Sequence, residues 1–258
     1  MSAAGQPTPA IPVAVDDARL KQAEKFIEEE EGAANRYRGW LGHLTSVLLV
    51  AMSLFHLYAA VDIVPAQVLR PVHVGFVFLL VFLVFPIAPR FRNSLQWWDV
   101  VLAVLGVATI VYLLMGGDEF WDRNTTPNTS DRFFGLVFVL LVLETCRRTS
   151  GWIMTGVISL FIAYAFAGPW LGPEWGHRGY DVESLTGFLY QTLEGVFGTA
   201  IDVSSSLIIL FTIYGAFLQH SGAGKFFLDW GFAAMGGKHA GAGRTVVLAS
   251  FLLGGPSG

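Results

Sequence analysis

The chain has 258 residues, of which 53% are hydrophobic and 14% charged, with a formal net charge of −4 and a mean hydropathy of +0.55. A soluble domain of this size needs more charge to cover its surface, so the composition points to a membrane protein, and the near-neutral balance offers nucleic acid no electrostatic footprint. The single cysteine, Cys146, excludes an internal disulfide framework and a thiolate metal cluster.

The first 39 residues hold no apolar run of the kind a secretory signal needs, so the first hydrophobic span is expected to be the anchor. Residues 5–14 read as a flexible tail. From Asp16 to Glu31 the pattern is helical, capped by Asp16 or Asp17 and ended by Gly32, with Leu20, Ala23, Phe26 and Ile27 on one narrow stripe. Residues 1–39 are therefore expected to be a cytoplasmic tail whose amphipathic helix lies on a surface.

Six spans follow. Trp40 to Val61 is about 33 Å long as a helix, enough for the hydrocarbon core. Val72 to Ala88 is bounded by Pro71, Pro86 and Pro89, and Trp97 to Met115 opens on an interfacial tryptophan pair. Phe133 to Thr145 is short and closes on Arg147 and Arg148; Trp152 to Leu171 and Val203 to Gln219 come next, and Thr245 to Leu253 begins a seventh. With a cytoplasmic N-terminus, twelve Lys and Arg fall inside and four (Arg70, Arg123, Arg132, Arg178) outside, as the positive-inside rule requires. Dropping the short fourth span would put Arg147 and Arg148 on the wrong side.

Polar residues within these spans are few. His43 and His56 share a helix about 140° apart around its axis, which prevents them from sharing a metal. His73, with Arg70 in RPVH, is expected to meet a lipid headgroup or a neighbouring loop. No H-E-x-x-H occurs, and neither a metal site nor a catalytic residue is assigned. Glu144 stands three and four residues before Arg147 and Arg148, the spacing of a local helical salt bridge. Asp202 is expected to cap the sixth span, and Ser204, Ser205 and Ser206 form a candidate polar path. Glu183 to Ala200 is not apolar enough to cross and reads as a helix in the outer interface. Two Asn-x-Ser/Thr triplets, at Asn124 and Asn128, fall in an outer loop.

The last run, Thr245 to Leu253, is about 14 Å of helix and breaks in GGPSG. Irregular backbone within lipid is tolerated only where protein buries it or where it lines a polar cavity. A re-entrant hairpin is the expected form, with Gly254, Gly255, Ser257 and Gly258 as first contributors to a midplane substrate and ion site. The same letters fit G-x-S-G, the nucleophile motif of rhomboid-type intramembrane proteases, which need a histidine base from a later span.

The stretches LETCRRTSGWIMTGVISLFIAYAFAGPWLG and LYQTLEGVFGTAIDVSSSLIILFTIYGAFLQHSGAGKFF, with the TVVLAS approach to the terminal break, resemble fused-permease TRAP transporters of the TAXI type. The likeness runs from Trp40 to Gly258 and is most specific from Leu143 to Ser250. It implies a small-subunit-like four-helix scaffold at 40–149 and the start of a large-subunit-like transport domain at 150–258, ending within its first hairpin. It also implies a multi-pass protein of the bacterial inner membrane that imports small carboxylate or dicarboxylate solutes from a periplasmic solute-binding protein, by symport with sodium and without another cofactor. A chain ending there is not expected to transport alone. The remaining readings are an intramembrane protease fragment and a helical scaffold subunit without a substrate site. The expected fold class is all-α: a polytopic integral membrane protein of about six transmembrane helices in the lipid bilayer, plus the start of a re-entrant hairpin and an interfacial helix.

Overall fold

The protein is described by a computed structural model, which places residue 35, residues 37–235, and residues 243 and 247. Among these no strand occurs. The helices are α1 (Trp40–Val61), α2 (Ala66–Val84), α3 (Trp97–Asp122), α4 (Thr129–Ala167), α5 (Val182–Tyr190), α6 (Thr199–Val203), α7 (Ile209–His220) and α8 (Ala223–Met235). A π-helical turn, Ser204–Ile208, joins α6 to α7. Among the described residues five stretches are long and apolar enough to cross a membrane: Trp40–Val61, Ala66–Val84, Trp97–Thr125, Thr129–Trp170 and Thr199–His220. Many of their large apolar side chains face outward, Val61 at 91% and Ile153 at 86% exposure, which fits lipid as the surrounding solvent. The expected helix at 16–31 and the start of a seventh span lie outside the described residues.

Local chemistry sets the helix starts. Gln96 and Asp99 form a reciprocal capping box at the head of α3, and Asn128 and Asp131 form one at the head of α4. Asp181 accepts from the Ser184 amide to start α5. The second span departs from expectation: Pro71 is not its boundary but lies inside α2, which begins at Ala66 after Pro65. A proline there forfeits one backbone bond, which membrane helices tolerate when neighbours surround them, and Pro71 is buried.

The 39-residue α4 is two helices. Gly151 within it has φ 80 and ψ −176, a conformation essentially reserved for glycine. The direction of the break follows from two contacts. Arg132 is bonded to Glu183, while the Tyr180 amide donates to Ala165 O. A straight helix would hold Arg132 and Ala165 about 50 Å apart. The connecting contacts and the three residues from Tyr180 to Glu183 bridge at most about 30 Å. The chain therefore folds back at Gly151, and six apolar segments result from the five stretches, with Arg147 and Arg148 just before the turn.

The core lies among α2, α3, α4 and the segment after α5. Phe82, Phe120, Phe138, Tyr190 and Phe197 are fully buried. Phe138 stands at 5.7 Å from Phe78, 4.8 Å from Tyr190 and 5.2 Å from Phe197 between ring centroids. Close approach of α2 and α3 depends on Gly106, where an added Cβ would fall 2.8 Å from Phe78. The Glu183 to Ala200 stretch is thus not one interfacial helix. It is a short α5, a turn through Gln191 to Gly198 that drives Tyr190 and Phe197 into the core, and a new helix from Thr199.

Candidate functional site at the junction of α1, α2 and the π-turn

Polar side chains gather at two ends and at one place between them. At the end that carries Asn35, the α2–α3 connection and the Gly151 turn, Arg148 binds Asp99 at 2.7 Å with both side chains buried. Glu144 accepts from Arg147 and Arg148, each at 2.7 Å, so the expected local salt bridge is present. Arg148 and Arg147 also donate to Phe85 O and Ile87 O, satisfying carbonyls at the end of α2. Two carboxylates face two guanidiniums and the cluster is neutral. Asn35 docks here as well, donating to Leu83 O and, through its amide, to Val84 O.

At the opposite end Asp131 is buried and accepts from Tyr112 Oη, from Arg123 and from the Asn128 amide. Beside it Tyr190 Oη donates to Thr109 O and Gln191 Nε2 to Phe120 O, which pins the turn after α5 onto α3. An open cavity of about 350 Å³ lies against this turn, lined by Gln67, Trp121, Asn124, Gln191 and Glu194 among others.

Between the ends, α1, α2 and the π-turn share a hydrogen-bonded chain. His56 Nδ1 lies 2.7 Å from Met52 O, His56 Nε2 lies 3.0 Å from His73 Nδ1, and His73 Nε2 lies 3.1 Å from Ser204 Oγ. His56, His73 and Ser205 are buried. One turn nearer the N-terminus of α2, Arg70 binds Asp202 at 2.8 Å and donates to Phe197 O. His73, expected at a lipid headgroup or a neighbouring loop, instead turns inward to His56 and reaches Ser204 of the π-turn, while Arg70 takes the contacts with Asp202 and Phe197 O. Asp202 pairs with Arg70, and the cap position of α6 belongs to Gly198. Helical spacing along α1 correctly separated His43 from His56 but said nothing of a partner on another helix, 17 residues away.

The three serines part company. Ser204 alone reaches another helix. Ser205 and Ser206 donate to Asp202 O at 3.2 and 2.6 Å, a carbonyl beside the widened turn in which the Ile209 amide reaches back to Ser204 O. Single π-turns often mark functional sites, and this one presents Ser204 to His73. Gly254, Gly255, Ser257 and Gly258 lie outside the described residues. Among the described residues no three His, Cys, Asp or Glu side chains converge to hold a metal.

This arrangement defines a polytopic helical membrane protein whose spans are tied together by buried polar joints. Residues 137–258 match the family model described as "Tripartite ATP-independent periplasmic transporter, DctM component", so this part of the chain is similar to that family. No curated protein and no solved structure matches the chain.

Proposed function

We propose that the chain is a membrane permease component of a sodium-coupled TRAP system of the bacterial inner membrane, importing carboxylate solutes delivered by a periplasmic solute-binding protein. The observation that carries this reading is the DctM match over residues 137–258, which covers the folded-back half of α4, the buried turn after α5 and the π-turn. The helices of 40–149 act as the small-subunit-like scaffold, and 150–258 opens the large-subunit-like transport domain. The aromatic contacts of Phe138 with Tyr190 and Phe197 support a fixed union of the two. The charged end with Arg147 and Arg148 faces the cytoplasm together with the N-terminal tail. Gly254, Gly255, Ser257 and Gly258 are the proposed contacts for sodium and a substrate carboxylate, by the dipole and free-carbonyl logic of broken membrane helices. The test is solute uptake into proteoliposomes holding the full-length protein, with its binding protein outside: replacing sodium by potassium should abolish accumulation. Undiminished uptake in potassium would remove sodium coupling from the proposal.

A further inference from the structure

The chain Ser204, His73, His56, Met52 O has a direction that its chemistry dictates. Met52 O only accepts, so His56 Nδ1 carries a proton and donates. In a neutral imidazole the other nitrogen then accepts, so His56 Nε2 receives the His73 Nδ1 proton. His73 Nε2 is left as acceptor and the Ser204 hydroxyl donates to it. Every polar atom is satisfied with both rings neutral, in surroundings where an unsatisfied one is costly.

From this geometry we infer that the His56–His73 pair is a binding site for one proton, and only one, shared by the two rings. An added proton lands at His73 Nε2, which turns from acceptor to donor, and the Ser204 oxygen accepts it. The bond between the rings is kept: His73 Nδ1–H faces His56 Nε2, or the proton crosses the 3.0 Å gap and His56 Nε2–H faces His73 Nδ1. Both forms keep the inter-ring bond and the His56 bond to Met52 O, and they differ only in which ring carries the charge. A second proton has no place, because two N–H groups would then confront each other between the rings. His56 Nδ1 stays fixed to a carbonyl that cannot take a proton, so the site holds its proton and does not relay it onward.

The surroundings permit one added charge. Arg70 on α2 and Asp202 on α6 neutralise each other beside the pair. On α1 the other ionisable side chains are His43 and Tyr58, and the Tyr58 hydroxyl is bonded to Asp62 at 2.6 Å. On the α3 and α4 sides of α2, Tyr112, Arg123 and Asp131 bind one another, as do Asp99, Glu144, Arg147 and Arg148. Tyr214 and His220 are the ionisable side chains of α7. Protonation changes the outer partner: Ser204 passes from donor to acceptor, so the π-turn reads the charge state of α2.

The experiment is nitrogen NMR of the full-length protein, labelled with 15N-histidine, in lipid nanodiscs between about pH 4 and 8. A nitrogen–nitrogen coupling across the inter-ring hydrogen bond identifies His56 and His73 without substitution. Both rings should change together in a single one-proton transition, with the coupling retained throughout. Ser204→Ala, which removes the acceptor of the charged form, should weaken proton binding about tenfold, as charge-assisted hydrogen bonds exceed neutral ones. Ser206→Ala, whose hydroxyl bonds only Asp202 O, should leave the midpoint in place. Two separate protonations, loss of the coupling on acidification, or rings that stay neutral across the range would each overturn the inference.

Discussion

Asp99 and Arg148, 49 residues apart in the chain, meet at 2.7 Å with 2% and 0% of their side chains exposed. The pair joins the start of α3 to the stretch of α4 just before the Gly151 turn, and Arg148 extends the joint to Phe85 O at the end of α2. Three spans are thereby fixed at one membrane surface. A buried pair of this kind is expensive to break, since the remaining charge is left without a partner.

Asp99→Ala should therefore destabilise the protein by about 3–5 kcal/mol, read as the loss of folded protein on heating in detergent. The exposed pair Arg132–Glu183, at 50% and 38% exposure, makes a fair comparison; breaking it should cost about 1 kcal/mol or less. Equal losses for the two would show that Asp99 and Arg148 are solvated.

Gly151 has open space around its missing side chain, yet its φ of 80 with extended ψ suits glycine alone. Gly151→Ala should cost about 1–3 kcal/mol from backbone strain, with no clash involved. Gly156→Ala, in regular helix and also in open space, should be neutral or mildly stabilising. If both substitutions behave alike in thermal unfolding, α4 does not turn at Gly151.

Gly106 is a different case, because its substitution meets a ring. Gly106→Ala should push α3 away from Phe78 and lower stability by about 1–3 kcal/mol. Pairing it with Phe78→Leu should recover part of the loss, and strict additivity would mean the two helices do not touch there.

Tyr190 lies outside the membrane-crossing stretches, and burial first, then Tyr112 and Asp131, raises its phenol far above the ordinary value of 10.0. The unfolded chain releases this proton near pH 10 while the folded chain keeps it, so the unfolded state binds fewer protons above that pH. Stability from this group is complete below pH 10 and falls as pH rises beyond it. Tyr190→Phe should flatten that alkaline decline and cost about 1 kcal/mol at neutral pH through loss of the bond to Thr109 O. An unchanged alkaline slope in unfolding measurements would contradict the burial.

Much of the membrane architecture was legible because hydropathy and Lys/Arg placement act locally along the chain. The short fourth span follows from the positions of Arg147 and Arg148, which α4 places just before a reversal. The pairing of Glu144 with Arg147 and Arg148 is visible in sequence because three- and four-residue spacing makes helical neighbours. What escaped depends on contacts between helices. Asp99 carries no local sign of Arg148, and His56 none of His73. Pro71 misled because a proline in isolation signals an end, whereas inside a bundle its lost hydrogen bond is absorbed. The stretch after Glu183 misled because its apolar spacing suits a surface helix, while the Gln191 to Gly198 turn and the large rings of Tyr190 and Phe197 carry it into the core.

The central claim is that this chain serves import of a carboxylate solute handed over by a separate binding protein. Its most direct test is uptake of radiolabelled solute by proteoliposomes containing the full-length protein, in a sodium gradient, with the binding protein present or omitted. The account predicts accumulation when the binding protein is present and background when it is absent. Equal accumulation in both, or none in either while the reconstituted protein is folded, would contradict it.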